Sequence, residues 1–116
     1  MSNIKEDSRG KLIEIFKIPD FGQVYYLTIK PGFTRGNHYH KRKKEKFCVI
    51  EGEAKITLKS KDEIKELLVS GNNPEVIDIP EKWIHDIKNI CDKEVKMLAW
   101  ISEVFNPNDP DTYYEK

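Results

Sequence analysis

The chain has 116 residues, enough for one domain with a modest core but small enough to want a partner surface. Its 20 basic and 20 acidic side chains cancel, so no overall field draws it to nucleic acid or an anionic membrane, and no apolar run is long enough to span a bilayer. The first residues lack the apolar core of a signal peptide, and two cysteines without a secretion signal read as free thiols in a reducing compartment, so the cytoplasm is the expected location.

In chain order, short apolar segments alternate with turn residues. Stretches 12–18 and 23–29 are rich in Ile, Val, Phe and Tyr and read as strands, separated by the turn Pro19-Asp20-Phe21-Gly22. After Pro31-Gly32 comes a segment holding His38 and His40, then the basic run 41–44, then Glu45 and an apolar strand over 47–51 that ends at Gly52. Residues 54–58 alternate cleanly and predict a strand with one solvated face. Residues 63–69 suit helix or strand by composition, and their position after the turn at 60–62 predicts the return strand of a hairpin. A turn at 70–74 leads to strand 76–79, Pro80-Glu81-Lys82 is a further turn before His85, and 95–101 is the last apolar strand. The stretch after Trp100 is too polar and proline-rich to continue a sheet and is expected to wrap a surface or a second protomer. Many short strands at regular spacing predict an all-β sandwich or barrel, a small jelly roll with a lined pocket at one mouth.

His38 and His40, two apart on an extended segment, aim two imidazoles into one space, and Glu45 can bring a carboxylate there across a short turn. That set suits zinc, iron, manganese or nickel. His85 is the one remaining histidine, and if it joins the cluster every histidine of the chain serves one site. The basic run 41–44 sits between the two ligand segments and reads as a solvated tip, not a nucleic-acid patch.

These residues carry a resemblance. Gly32, His38, His40, Glu45 and Gly52 fit the first cupin motif, Gly-x5-His-x-His-x4-Glu-x6-Gly, at every position. Pro80, His85 and Asn89 match the second motif, with Lys82 where the family usually has Gly. The run Arg35-Gly36-Asn37-His38-Tyr39-His40 and the stretch from Trp100 to Tyr113 look like the C-terminal cupin domain of capsular-polysaccharide enzymes that rework a UDP-4-keto-sugar. The opening Asp7-Ser8-Arg9-Gly10 is similar to the start of sugar-nucleotide epimerases and 3,4-ketoisomerases of the cupin superfamily.

The resemblance implies a cupin jelly roll holding one divalent metal ion on His38, His40, Glu45 and His85, with zinc as the first expectation. It implies epimerase or isomerase chemistry on a nucleotide-linked 4-keto-hexose, by deprotonation next to the ketone with the metal stabilising the enolate. Four protein ligands leave two positions open on an octahedral ion but would fill a tetrahedral zinc shell. Arg35 is the expected grip on the nucleotide diphosphate, with Asn37 beside it as a substrate-binding candidate. A histidine held on a metal cannot also take the proton, so Tyr26 and Lys46 are the catalytic candidates, while Tyr39 should point away by strand alternation. The similar enzymes carry a fused reductase domain for which these residues leave no room. A separate dehydratase and a separate reductase or aminotransferase are therefore expected partners, together with a second copy in a homodimer. Two rival readings use the same ligands: a non-catalytic sensor or binding module, and an Fe(II) cupin oxygenase.

Overall fold

The computed structural model describes residues 4–114 and is all-β, with eleven strands among those residues and no helix long and apolar enough to cross a membrane. One sheet contains β1 (Ile4–Asp7), β2 (Gly10–Ile18), β3 (Gly22–Ile29), β10 (Val95–Ile101), β5 (Glu45–Glu51) and β8 (Val76–Ile79), in that spatial order. The second contains β11 (Tyr113–Tyr114), β4 (Thr34–Tyr39), β9 (Ile84–Asn89), β6 (Glu53–Lys59) and β7 (Ile64–Ser70). From β3 onward the chain changes sheet at almost every turn, and neighbouring strands pair antiparallel, which is the jelly-roll arrangement.

The apolar segments read from the sequence are all strands, and the ambiguous stretch after residue 62 is β7, paired with β6 from Glu53↔Ser70 to Lys59↔Ile64. Between the sheets, Ile29, Ile56, Val95 and Met97 are fully buried and form the centre of the core. The motif residue Asn89 is also buried. Its amide donates to the carbonyls of Ile29 and Lys93 at 2.7 Å each, and its Oδ1 accepts from the Cys91 N–H at 2.8 Å. It ties the end of β3 and the turn after β9 together through main-chain groups. Both cysteines are free thiols.

The stretch after Trp100 does not continue the first sheet. It folds back across the chain's own surface and adds β11 to the edge of β4 through Tyr113↔Tyr39 and Tyr114↔His38. The basic run 41–44 receives it: Lys41, Arg42 and Lys44 stay exposed, as a solvated tip predicts, while Lys43 is buried. Arg42 forks onto Glu103 and reaches Asp109, Lys43 is buried with its ammonium near the Phe105 ring, and Lys41 lies over Tyr113.

Candidate metal centre and cavity

In a regular strand Arg35 and His38, three apart, would face opposite sides. A β-bulge between Gly36 and His38 changes that parity. Asn37 is the extra residue, at φ 67°, and after it His38 pairs directly with His85 of β9. Arg35, His38 and His40 consequently all line one cavity, while Tyr39 turns outward and stacks on Tyr113. Gly36, at φ 103°, permits the close approach of β4 to β9, because a Cβ there would lie 2.7 Å from the His85 carbonyl oxygen. The turn before β9 closes through Lys82, whose N–H donates to the His40 carbonyl at 2.6 Å with φ 70°, the conformation for which the motif's usual glycine is suited.

Nitrogen and oxygen donors from His38, His40, Glu45 and His85 lie within 4.8 Å of one another. The second sheet supplies His38 and His85, His40 directly follows β4, and the first sheet, through β5, supplies Glu45. Glu45 Oε1 is 2.8 Å from His40 Nε2 and 3.1 Å from His85 Nε2. Yet His40 Nε2 and Glu45 Oε1 are buried polar atoms without an aligned hydrogen bond, a costly state unless another group joins them; His85 Nδ1, on the side of its ring away from Glu45, is also without one. On the far side of the ring, His40 Nδ1 sits 2.6 Å from the Asp111 carbonyl, which can only accept, so Nδ1 carries a proton and the ring, when neutral, has its lone pair at Nε2. Orphaned donors converging in this way fit a divalent ion, and three imidazoles with one carboxylate suit zinc, manganese or iron.

The electrostatics follow from burial and proximity. Burial, aided by the neighbouring His85, pushes His38 down to about 4, so its ring is neutral near pH 7. Burial opposes charge on His40 as well, but the adjacent Glu45 carboxylate outweighs it and the net direction is upward. Burial would raise Glu45, and His40 and His85 overcome this, holding it at about 2. The carboxylate is thus ionised, as a ligand must be.

The cluster opens into a cavity of about 380 Å³, within the range of small-molecule sites. Leu12, Leu27, Phe47, Ile87, Met97 and Ala99 form its apolar wall, and Arg9, Arg35, Tyr25 and Tyr114 are its polar groups. Arg35 is half-buried and, among the described residues, forms no ion pair; its Nε–H makes only a 3.4 Å contact with the Thr28 carbonyl. Burial and the repulsion of Arg9 press its guanidinium pKa down. Arg9, by contrast, forks onto the Asp7 carboxylate. The Tyr25 hydroxyl donates to Gln23 Oε1 at 2.9 Å, and the Gln23 amide donates to Glu14. Burial, with the Glu14 and Glu45 charges, raises the Tyr25 pKa.

Of the residues singled out from sequence, His38, His40, Glu45, His85 and Arg35 share this cavity. Three do not line it. Tyr26 lies on the outer face of the first sheet, where alternation from the inward Tyr25 and Leu27 must put it. Lys46 follows inward Glu45, faces out and pairs with Asp78 at 2.5 Å. Asn37 is the exposed bulge residue. Tyr25, Arg9 and Asp111 went unmarked. Tyr25 had a local signal, since it shares parity with Leu27, whereas Asp111 reaches His40 across 71 positions.

The profile of the polysaccharide biosynthesis C-terminal domain family matches residues 5–113. The UDP-2-acetamido-2,6-beta-L-arabino-hexul-4-ose reductase of Pseudomonas aeruginosa is 38% identical over 109 residues, covering 92% of this chain and 29% of that protein. The crystal structure of the capsular polysaccharide assembling protein CapF from Staphylococcus aureus matches with a TM-score of 0.95 at 42% identity, covering 100% of this chain and 32% of that one. This chain therefore spans less than a third of the length of either relative. Oxalate decarboxylase of Bacillus subtilis, a cupin studied for its Mn(II) centers, matches at TM-score 0.73 and 24% identity over 84% of this chain and 27% of its own, a likeness of fold alone. With the family profile spanning nearly every residue and both sheets superposing on CapF, the chain belongs to the polysaccharide biosynthesis C-terminal domain family and has the cupin jelly-roll fold.

Proposed function

We propose that this domain is an epimerase or ketoisomerase that enolises a nucleotide-linked 4-keto-hexose in the making of a polysaccharide precursor. One observation carries the reading: a buried three-histidine, one-glutamate donor set opens directly into an apolar cavity whose wall holds an unpaired guanidinium. The P. aeruginosa relative is named for a UDP-linked hexul-4-ose, a sugar with its ketone at C4, which supports the substrate class. A divalent cation on His38, His40, Glu45 and His85, zinc in the first instance, supplies Lewis-acid polarisation of a ketone oxygen when bound.

The chain's own residues supply the rest. Arg35 grips the diphosphate, with Arg9 as a second, partly neutralised cation near it. Leu27, Phe47 and Met97 exclude water from the sugar. Tyr25 takes the proton-handling role first assigned to Tyr26 and Lys46. It lines the cavity, and its raised pKa keeps the proton on oxygen, which suits it to give a proton to the enolate carbon after a separate base has taken the first one.

A 4-keto-sugar must come from a dehydratase, and its isomerised product suits a reductase or aminotransferase, so enzymes of those classes are the pathway partners. A second copy of this chain is the occupant we assign to the outer face of the first sheet. There the cross-strand row Ile4, Ile13, Tyr26, Leu98, Cys48 and Val76 runs apolar from edge to edge, and the balanced net charge sets no barrier to self-association. Light scattering should read twice the 13.6 kDa chain mass, and a monomer at micromolar concentration would refute the dimer.

The test of the activity is proton NMR of a UDP-4-keto-6-deoxy-hexose in D₂O with metal-replete protein and a His40→Ala control. Deuterium entering C3 or C5 only with the intact site supports enolisation and names the carbon. No exchange with either UDP- or dTDP-linked sugar rejects it.

A further inference from the structure

We propose that Asp111 is a positioning residue for the metal centre, presenting His40 as a ligand through its main-chain carbonyl while its carboxylate fastens the loop that follows that ligand. The inference rests on the metal reading of the four-residue cluster. Asp111 is 3% exposed and sits at φ 49°. Its carboxylate accepts the N–H groups of Lys41 at 3.1 Å and of Arg42 and Lys43 at 2.9 Å each, and its carbonyl faces His40 Nδ1 at 2.6 Å. Four contacts from one residue thus converge on positions 40–43.

The chemistry is specific. Residues 41–43 leave β4 and turn toward β5, so their N–H groups lack ladder partners, and three of them together make a concavity that prefers an anion. Once the carboxylate is seated there, the left-handed turn at Asp111 directs its carbonyl back to the imidazole. A carbonyl can only accept, so it holds the proton on Nδ1 and leaves Nε2 free for a cation. Without it, Glu45 at 2.8 Å from Nε2 can capture the opposite tautomer or the doubly protonated ring. The same residue leads into Thr112 and Tyr114, which line the cavity.

A simple clip for the stretch 102–114 would look similar in stability data, so the test needs a readout of the ring itself. Zn²⁺ affinity of the whole chain is measured by chelator competition, Co²⁺ absorption reports the ligand field, and ¹H–¹⁵N NMR of the zinc-loaded protein reports the His40 Nδ1–H. Variants are Asp111→Ala, Asp111→Asn and Arg42→Ala, the last removing the exposed fork to Glu103 and Asp109 while leaving the Asp111 contacts in place. We expect a solvent-protected Nδ1–H in the unmodified protein. Asp111→Ala should lose it and bind zinc about 10- to 100-fold more weakly, the range for ligand-orienting partners. Asp111→Asn should fall between and decides the matter if the alanine variant does not fold, while Arg42→Ala should stay within about twofold. Unchanged affinity in both Asp111 variants, an unprotected Nδ1–H in the unmodified protein, or an equal loss in Arg42→Ala would overturn the inference. Failure of the unmodified protein to take up Zn²⁺ or Co²⁺ would instead remove the metal reading on which it stands.

Discussion

Substituting Gly36 by Ala tests the bulge that builds the site, and Gly32→Ala supplies the internal reference. At Gly32 the φ is 80° and an added Cβ meets nothing within 4 Å, so alanine suffers only the left-handed backbone penalty. That penalty is about 1–2 kcal/mol, partly offset by the 0.4–1 kcal/mol gained from a stiffer unfolded chain, for a net loss of about 1 kcal/mol. At Gly36 the φ of 103° lies beyond the left-handed well, and the Cβ would stand 2.7 Å from the His85 carbonyl oxygen and 3.0 Å from the Asp86 Cα. Both obstacles are backbone and cannot swing away, so strain and displacement together reach about 3–4 kcal/mol. With unfolding entropy near 2.1 cal/mol/K per residue over 116 residues, the melting temperature should drop about 4 °C for Gly32→Ala and about 12–16 °C for Gly36→Ala. Relief of the clash moves β4 from β9 and separates His38 from His85, now 4.6 Å apart between ring centroids, so zinc affinity should fall at least about tenfold. Calorimetry and chelator competition read the two effects. Equal melting temperatures for the two variants, with zinc affinity intact in Gly36→Ala, would refute the account of the bulge.

Tyr25→Phe should slow solvent exchange into the keto-sugar about 10²- to 10⁴-fold, whereas Tyr26→Phe should leave it unchanged; the reverse ranking by NMR would return the role to the outer face. Arg35→Lys, which keeps the charge but loses the fork, should weaken nucleotide-sugar binding about tenfold by calorimetric titration, and unchanged affinity would end that assignment. Lys82→Gly relieves the left-handed lysine and should raise stability by about 0.5–1 kcal/mol in urea melts, net of the looser unfolded chain; a loss would mean that the lysine side chain itself contributes. In metal-free protein, Glu45 is held at about 2 against an ordinary 4.5, so its contribution is complete above pH about 4.5 and vanishes as pH falls through about 2. The urea-midpoint gap between the unmodified chain and Glu45→Gln should therefore close between pH 5 and pH 2, and a constant gap would contradict the shift.

Strand positions and the clustering of His38, His40, Glu45 and His85 were legible because each has a local signature. β3, β5, β6 and β10 are dense in β-branched and aromatic residues, and the ligand spacing His38, His40, Glu45 repeats the parity of a strand on either side of a short turn. β4 and β9 are mostly polar, so composition alone does not mark them as strands; the histidines they carry do. The direction of Tyr25 and Tyr26 was harder to read for a physical reason. The outer face of the first sheet carries its own apolar row, so the polar-out alternation that reveals a strand's inner side is erased. Lys46 needed no such help, since an inward Glu45 already turns its neighbour outward. Arg35 reached the cavity against strict alternation, through a bulge that only Gly36 and Asn37 hinted at. The fate of the basic run was not local at all, because its carboxylate partners lie about sixty to seventy positions away and have no periodic relation to it.

The charge arrangement gives the strongest physical reason to expect an anionic ligand with an uncharged end. Bound to a divalent ion, three imidazole ligands are neutral and Glu45 brings a single negative charge, so an ion held there leaves one net positive charge at the edge of an apolar cavity. Arg35 adds a second that forms no ion pair among the described residues, and Arg9 adds a third that Asp7 compensates. Placed against Leu27, Phe47 and Met97 instead of bulk water, such charges act at reduced screening and favour negative charge developing beside them. A phosphate-bearing sugar whose reacting end is neutral at rest and negative once deprotonated complements that field at both stages. A small apolar signal molecule would leave Arg35 half-buried without a partner, a cost the sensor reading does not account for.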